Sequence, residues 1–127
     1  MQSPECTVLV VDDDESCRDA LTCWLESEGF KVSSYSNPAE VLAVAELPPY
    51  CCVVTDYRML EMDGLEFVAA LRKRRSAIPA ILVTGDPSPT VRKRASAAYV
   101  PVIEKLCLDE LPGCIREMIG QWSRASN

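Results

Sequence analysis

The sequence predicts an α/β fold, a doubly wound parallel sheet of five strands with helices on both faces. Five short runs of β-branched and other apolar residues are spaced along the chain, as expected for strands buried on both faces. Between these runs lie segments whose apolar residues recur at helical spacing, so that strand and helix alternate as they do in a parallel sheet. The predicted strands cover residues 7–11, 31–35, 51–55, 80–83 and 99–103.

The predicted helices are bounded by residues that begin or end a helix. The first covers residues 15–28, begins after Asp14, which is expected to cap it, and is closed by Gly29 in the position after the C-cap. Asn37 caps the second, whose apolar face is expected to continue through Val44 and Ala45. The other three helices begin after Gly64, cover 90–98, and carry a long apolar stripe over 108–122.

The 127 residues have the size of one domain, with a core expected over about residues 7–122. The apolar runs are as long as strands and too short to cross a bilayer. The first six residues lack the basic start and the apolar segment of a signal peptide. These observations predict a single domain over residues 1–127, located in the cytoplasm and not inserted into a membrane.

The chain has seven cysteines and no histidine. Because the number of cysteines is odd and no C-x-x-C pair occurs, free thiols are predicted instead of disulfides or a zinc site. Without histidine, the chain cannot build a Ser-His or Cys-His nucleophile pair. Carboxylates, a lysine or hydroxyls must therefore carry its chemistry.

The net charge of −6 is unevenly distributed. Residues 1–56 contain 11 acidic and two basic side chains, whereas residues 57–127 contain eight acidic and 11 basic ones. The negative total disfavours direct binding of nucleic acid. The basic run at residues 72–75 predicts a helix C-terminus, where cations complement the helix dipole, in preference to a phosphate-binding patch.

Polar side chains stand at the carboxyl ends of four predicted strands. Residues 12–14 follow the first strand, and Asp56, Thr84 and Lys105 lie at the ends of the third, fourth and fifth. In a parallel sheet these ends meet at one edge, where α/β proteins bind their ligands. Clustered carboxylates repel each other, and Mg²⁺ relieves the repulsion while leaving positions for phosphate oxygens. The edge therefore predicts a phosphoryl-transfer site, with one of the aspartates as acceptor.

Four motifs at this edge resemble the receiver domains of two-component response regulators. They occur in the family's order and spacing, and the resemblance extends over about residues 7–122. It implies the flavodoxin-like strand order 2-1-3-4-5. The motifs are VVDDDE at 10–15, TDYRMLEMDGL at 55–65, VTG at 83–85 and IEK at 103–105.

The resemblance implies an acceptor and a metal site. Asp56 is expected to take a phosphoryl group from a histidine kinase or a phosphotransfer protein. Mg²⁺ is expected to bind Asp56, Asp13 directly, Asp12 through a water molecule, and the backbone carbonyl of Arg58.

Two further residues and the partners follow from the same resemblance. Thr84 is expected to contact a phosphoryl oxygen, and Lys105 to pair with the acidic pocket and then with the phosphate. The chain is expected to be a regulatory domain and not an enzyme, apart from its own phosphorylation and dephosphorylation. It would switch the binding of a downstream protein target, and a dimer that forms on phosphorylation is allowed.

The sequence departs from the family at three positions. Leu60 and Leu106 stand where proline is usual, and a trans bond is predicted before Leu106 because a cis bond is inexpensive only before proline. Val102 replaces an aromatic residue whose ring usually turns inward, so we expect phosphorylation with an unusual readout; Tyr99 is a weak candidate to replace that ring. A contact between Arg58 and Asp86 is a further hypothesis, which would shield the phosphoryl group from hydrolysis.

Two other functions stay open at this point. Residues 12–16 fit the D-x-D-x-[ST] pattern of haloacid-dehalogenase-type phosphatases, with Asp12 as nucleophile and Asp14 as acid. Such enzymes need a later acidic pair for Mg²⁺, and the few acids after Lys105 lie in or beside the last helix. The second alternative is an unphosphorylated receiver-like binding module that signals by partner contact alone.

Overall fold

The computed structural model of the protein describes residues 6–85 and 87–125, and for residues 121–125 it describes the backbone only. Strands and helices alternate along the whole of this length. The strands are β1 (Thr7–Val11), β2 (Lys31–Tyr35), β3 (Cys51–Asp56), β4 (Ala80–Thr84) and β5 (Val102–Glu104). The helices are α1 (Glu15–Ser27), α2 (Pro38–Leu42), α3 (Gly64–Arg74), α4 (Pro89–Ala97) and α5 (Leu111–Ala125), and a 3₁₀ segment at Lys105–Glu110 precedes α5.

The five strands form one sheet in the order β2-β1-β3-β4-β5, and every neighbouring pair is parallel. This confirms the predicted fold class and strand order. The register places Val11 of β1 opposite Thr55 of β3, and Thr84 of β4 opposite Glu104 of β5. The carboxyl ends of these four strands therefore lie side by side at one edge of the sheet.

Each face of the sheet is covered by its own group of apolar side chains. Alternate strand residues point to opposite faces, so both faces of β1, β3 and β4 are buried. One face packs against α2, α3 and α4, where the largest buried side chain is Phe67. The other packs against Leu21 and Leu25 of α1 and against Leu111 and Ile115 of α5.

Local capping signals work as the sequence predicts. The Asp14 carboxylate accepts a hydrogen bond from the backbone N–H of Cys17 at 3.0 Å, and Asn37 caps α2 in the same way. Gly29 follows α1 with φ of 96°, a left-handed conformation that only glycine adopts without strain. These three residues set the ends of α1 and the start of α2.

The basic run at residues 72–75 ends α3, as predicted. Its guanidinium groups donate hydrogen bonds to carbonyls of neighbouring loops. Arg74 donates to the carbonyl of Val44 at 2.8 Å, and Arg75 donates to the carbonyls of Pro48 and Leu47. The run therefore holds the segment between α2 and β3 against α3.

Two elements are shorter than the sequence predicts. Helix α2 ends at Leu42, so Val44 and Ala45 lie outside it, and Arg74 satisfies their carbonyls instead. Strand β5 begins at Val102 and not at residue 99. Tyr99 adopts φ of 56°, which is incompatible with a strand, and Pro101 has no N–H to donate.

Within the described ranges, no helix combines the length and the apolar character needed to span a membrane. The seven cysteines are free thiols, and Cys51 and Cys52 are buried in the centre of the sheet. The apolar stripe of the last helix is predicted to reach Trp122, whose side chain lies outside the described ones.

Candidate functional site

The carboxyl edge of the sheet brings together the residues that the sequence singled out. Asp12 directly follows β1, Asp56 is the last residue of β3, Thr84 is the last residue of β4, and Lys105 directly follows β5. Parallel pairing of β1, β3, β4 and β5 places these four ends next to each other. Residues separated by up to 93 positions in the chain thus share one site.

Three carboxylates form a cluster at this edge, which we call the acid cluster: Asp12, Asp13 and Asp56. One oxygen from each lies within 4.8 Å of the others. Asp12 is 2% exposed, Asp56 is half-buried and Asp13 is exposed to solvent. The cluster is therefore open on the side of Asp13 and enclosed on the side of Asp12.

Backbone and side-chain contacts hold Asp12 in place. Its carboxylate accepts a hydrogen bond from the backbone N–H of Asp14 at 2.9 Å. The guanidinium of Arg18, one turn into α1, donates to the Asp12 carbonyl at 2.9 Å. The start of α1 thus fixes both the backbone and the side chain of this residue.

Asp56 is oriented from two sides. Its Oδ1 accepts a hydrogen bond from the backbone N–H of Tyr57 at 2.9 Å, and the Nζ of Lys105 lies 3.7 Å from the same oxygen. Lys105 reaches this position from the end of β5, two strands away in the sheet. One oxygen of Asp56 is therefore held by an N–H and by a positive charge.

Burial raises the pKa values of two carboxyls in the acid cluster. The pKa of Asp12 is raised because burial disfavours its charged form, although the Asp14 N–H and Lys105 partly oppose this. The pKa of Asp56 is also raised by burial, and Lys105 again opposes the shift. Burial therefore disfavours the charged forms of Asp12 and Asp56, and a bound cation would favour them.

A close backbone contact explains Gly64, whose role the sequence did not indicate beyond its place in a motif. Its N–H donates to the carbonyl of Tyr57 at 2.8 Å. A Cβ at this position would lie 2.4 Å from the carbonyl oxygen of Asp56 and 2.7 Å from Leu82. Only glycine lets α3 begin this close to the backbone of Asp56.

Of the remaining residues predicted to act at the site, the structure describes Thr84 and Arg58. Thr84 is buried at the end of β4, and its contact with a phosphoryl oxygen stays a prediction. Arg58 is exposed, and the role of its carbonyl as a metal ligand also stays a prediction. Asp86 lies outside the described residues, so its contact with Arg58 is untested.

The three departures from the family pattern have visible consequences. The described residues contain no cis peptide bond, so the predicted trans bond before Leu106 is confirmed. Leu60, in the segment between β3 and α3, is 93% exposed, and Leu106, in the 3₁₀ segment before α5, is 94% exposed. Val102 packs partly buried against the core, whereas Tyr99 is 86% exposed at the end of α4. The Tyr99 ring thus lies outside the core, and its replacement of the missing aromatic ring stays a prediction.

An apolar cavity of about 390 Å³ adjoins the acid cluster. Asp12 and Lys105 form its polar end. Its apolar wall comes from α1 and from the segment before α5, through Cys17, Leu21, Trp24 and Leu108. The face of the molecule next to Asp12 and Lys105 is thus a concave and mainly apolar surface.

Fold and acid cluster together are those of a class of protein, the receiver domains built on a five-stranded parallel sheet. Residues 8–110 match the response regulator receiver domain, and the chain belongs to this family. It is a regulatory domain of two-component signalling.

The chain is similar to a transcriptional regulatory protein of Bradyrhizobium diazoefficiens, FixJ, with 33% identity over 78 residues. That match covers 61% of this chain and 38% of FixJ, so the chain aligns with less than half of this relative. The crystal structure of FixJ-N superimposes with a TM-score of 0.82 at 30% identity, covering 94% of this chain and 96% of that one.

A second solved structure of similar fold was determined with a ligand bound. The response regulator TrrA of Thermotoga maritima, solved in complex with Mg(2+)-BeF, superimposes with a TM-score of 0.76 at 28% identity. The match covers 88% of this chain and 97% of that one.

Proposed function

We propose that this domain is a Mg²⁺-dependent switch in which Asp56 accepts a phosphoryl group. The observation that carries the proposal is the acid cluster, with three carboxylate oxygens within 4.8 Å of each other and Lys105 at 3.7 Å from Asp56. Clustered acids paired with one lysine at the end of parallel strands are a costly arrangement without a bound cation. Binding of Mg²⁺ and phosphorylation of Asp56 would account for such a cluster.

The donor atoms of the acid cluster suit Mg²⁺. Carboxylate oxygens are the hard ligands that this ion prefers, and it usually keeps several waters when only a few protein groups bind it. We assign direct contact to Asp13 and Asp56, a water-mediated contact to the enclosed Asp12, and a fourth contact to the Arg58 carbonyl. Bound Mg²⁺ would neutralise the cluster and supply positive charge to the phosphoryl oxygens. The similar response regulator TrrA, solved in complex with Mg(2+)-BeF, supports a magnesium site in a domain of this fold.

The residues of the chain position the acceptor and balance charge. An oxygen of Asp56 forms a bond to phosphorus while the bond from phosphorus to the donor's nitrogen or oxygen breaks, which leaves an aspartyl phosphate and the released donor. The Tyr57 N–H and Lys105 hold the carboxylate before the transfer. Lys105 and the hydroxyl of Thr84 then contact the new phosphoryl oxygens, which is the positioning and charge stabilisation that this chemistry needs.

Donor and target are proposed from the family. A histidine kinase or a phosphotransfer protein is the proposed donor, because this chain has no histidine of its own to carry the group. The proposed outcome is a change in binding to a downstream protein, with a phosphorylation-dependent dimer as one form of it. The added charge of about −1.5 to −2 at neutral pH drives the change.

The phosphatase alternative is disfavoured by one observation. It requires Asp14 to act as an acid next to Asp12, but the Asp14 carboxylate accepts the capping hydrogen bond from Cys17 at the start of α1. The binding-module alternative uses the same fold without phosphorylation, so only an experiment separates it from the proposal.

The test is intact mass after incubation with acetyl phosphate, with and without Mg²⁺. Wild type is compared with Asp56→Asn, which removes the acceptor, and with Asp12→Asn, which removes one acid and retains the acceptor. A phosphoryl adduct that requires Mg²⁺ and is lost in Asp56→Asn is expected. Turnover of acetyl phosphate that is lost in Asp12→Asn but kept in Asp56→Asn would identify a phosphatase. The absence of an adduct in wild type would favour the binding-module alternative.

A further inference from the structure

Arg94 on α4 contacts both ends of the loop that follows the acceptor. This β3–α3 loop consists of residues 57–63. The Arg94 guanidinium donates to the hydroxyl of Tyr57 at 2.8 Å and to the carboxylate of Asp63 at 3.1 Å. It also lies over the Tyr57 ring, 5.9 Å from the ring centroid.

The two residues that Arg94 contacts are themselves tied to the acceptor. Tyr57 donates its N–H to Asp56 Oδ1 at 2.9 Å and accepts the N–H of Gly64 at 2.8 Å. Asp63 caps α3 in a reciprocal arrangement with Glu66, in which each side chain accepts the other's backbone N–H. Arg94 therefore links the first and the last residue of the loop from outside.

The middle of this loop has little other restraint. Leu60 is 93% exposed, and Arg58 and Glu61 are exposed as well. Between the two ends of the loop, Met59 and Met62 pack against the core, as Tyr57 does at its start. A leucine backbone also samples more conformations than the proline that would fix φ at position 60. The proposed metal ligand, the Arg58 carbonyl, lies within this weakly held stretch.

Helix α4, which carries Arg94, is anchored by packing and by hydrogen bonds. Val91 and Ala95 on its inner face are buried, and Ser88 caps its start. At its other end the carbonyl of Ala98 accepts a hydrogen bond from Arg72 of α3. The guanidinium of Arg94 is thus presented to the loop from a helix that is fixed at both ends.

We propose that Arg94 is a positioning residue for the phosphoacceptor site. By contacting Tyr57 and Asp63 together, it limits the conformations of the β3–α3 loop and keeps the Arg58 carbonyl and the Tyr57 N–H beside Asp56. The proposal rests on the proposed function, because the loop matters to the site only if Mg²⁺ binds there. Arg94 touches neither the metal ligands nor the acceptor, so it acts through the loop alone.

The test measures the Mg²⁺ dissociation constant from amide NMR shifts, with Mg²⁺ alone as the probe. In Arg94→Met we expect binding to weaken by about twofold to fivefold, the range of an exposed charged contact. Arg94→Lys keeps the charge but lacks the planar fork that reaches both partners, so partial recovery is expected. The matched control is Arg116→Met, which removes an exposed arginine that pairs with Glu28 and covers the Phe30 ring far from the site.

A mutant cycle separates positioning from general stability. In the background Tyr57→Phe with Asp63→Asn, which keeps the α3 cap, the effect of Arg94→Met on Mg²⁺ affinity should disappear. An unchanged dissociation constant in Arg94→Met, an equal loss in Arg116→Met, or an undiminished effect in that background each overturns the role of Arg94. If wild type shows no Mg²⁺-dependent shifts and takes up no phosphoryl group, the proposed function falls and this role falls with it.

Discussion

Lys105 Nζ lies 3.7 Å from Asp56 Oδ1, although Lys105 directly follows β5, Asp56 ends β3, and the whole of β4 lies between those strands. The contact joins the only lysine at the carboxyl edge of the described sheet to the half-buried member of the acid cluster. The contact exists because the carboxyl ends of parallel strands lie at one edge of the sheet, and it gives Asp56 a positive neighbour before any ligand binds.

Replacing Lys105 should raise the pKa of Asp56 further above its ordinary value. Burial already raises this pKa, and the charge of Lys105 opposes the rise. In Lys105→Met we expect a higher Asp56 pKa by carboxyl ¹³C NMR titration, and phosphorylation by acetyl phosphate slowed by about 10²-fold through lost charge stabilisation. Lys93→Met, an exposed change on α4, is the control and should alter neither quantity. A lower Asp56 pKa in Lys105→Met would contradict the geometry.

Asp12→Asn should stabilise the protein in the absence of Mg²⁺. The amide keeps an oxygen for the Asp14 N–H but removes a buried charge beside two other carboxylates. We expect the Tm at pH 7 to rise by about 2–6 °C, as a gain of about 1 kcal/mol produces in a domain of this size. Asp19→Asn on the exposed face of α1 is the control. At saturating Mg²⁺, wild type should have a higher Tm than Asp12→Asn.

The same substitution gives a pH dependence with a defined sign. Because the folded pKa of Asp12 is raised from 3.8, the folded state binds more protons than the unfolded state between that value and the folded pKa. The contribution of Asp12 to stability is therefore fully present below about pH 3.8 and is lost as pH rises through the folded pKa. The stability difference between Asp12→Asn and wild type should be largest at neutral pH and shrink on acidification. A difference that grows on acidification would contradict the raised pKa.

Gly64→Ala should destabilise the fold by about 1–3 kcal/mol, the usual range for overpacking. Its Cβ would lie 2.4 Å from the Asp56 carbonyl oxygen, so α3 or the end of β3 must move. Gly113→Ala on α5 is the matched control, because nothing lies within 4 Å of its Cβ. There the helix should gain up to about 1 kcal/mol. Urea unfolding measures both, and equal effects at the two glycines would disprove the close contact.

Tyr99→Asn should stabilise the protein by about 0.5 kcal/mol. Tyr99 holds φ of 56°, a region that asparagine tolerates better than an aromatic residue, and its side chain is too exposed to lose much packing. Tyr99→Val should have the opposite effect, because a β-branched residue is more strained there. Thermal unfolding of the two variants measures the difference, and a more stable valine variant would contradict the assigned backbone conformation.

The parts of the fold that depend on local signals could be predicted from the sequence. Strands β1 and β2 have the predicted bounds, and Asp14, Gly29 and Asn37 mark helix ends through bonds or backbone angles within a few residues. The gathering of Asp12, Asp56, Thr84 and Lys105 was also predictable, because it follows from parallel topology once the strands are recognised.

Contacts between distant segments were decided only by the tertiary structure. Helix α2 ends early where Arg74, some 30 residues away, binds the carbonyls beyond it, and β5 starts late because Tyr99 turns the chain. Gly64 is required by its distance to the Asp56 carbonyl, and Arg94 meets Tyr57 across 37 residues. By itself, the sequence determined the order of strands and helices and the chemistry at the strand ends, since hydrophobic period and capping act over one or two turns. The tertiary structure decided which backbones approach closely and which charges meet, since those depend on packing among residues far apart in the chain.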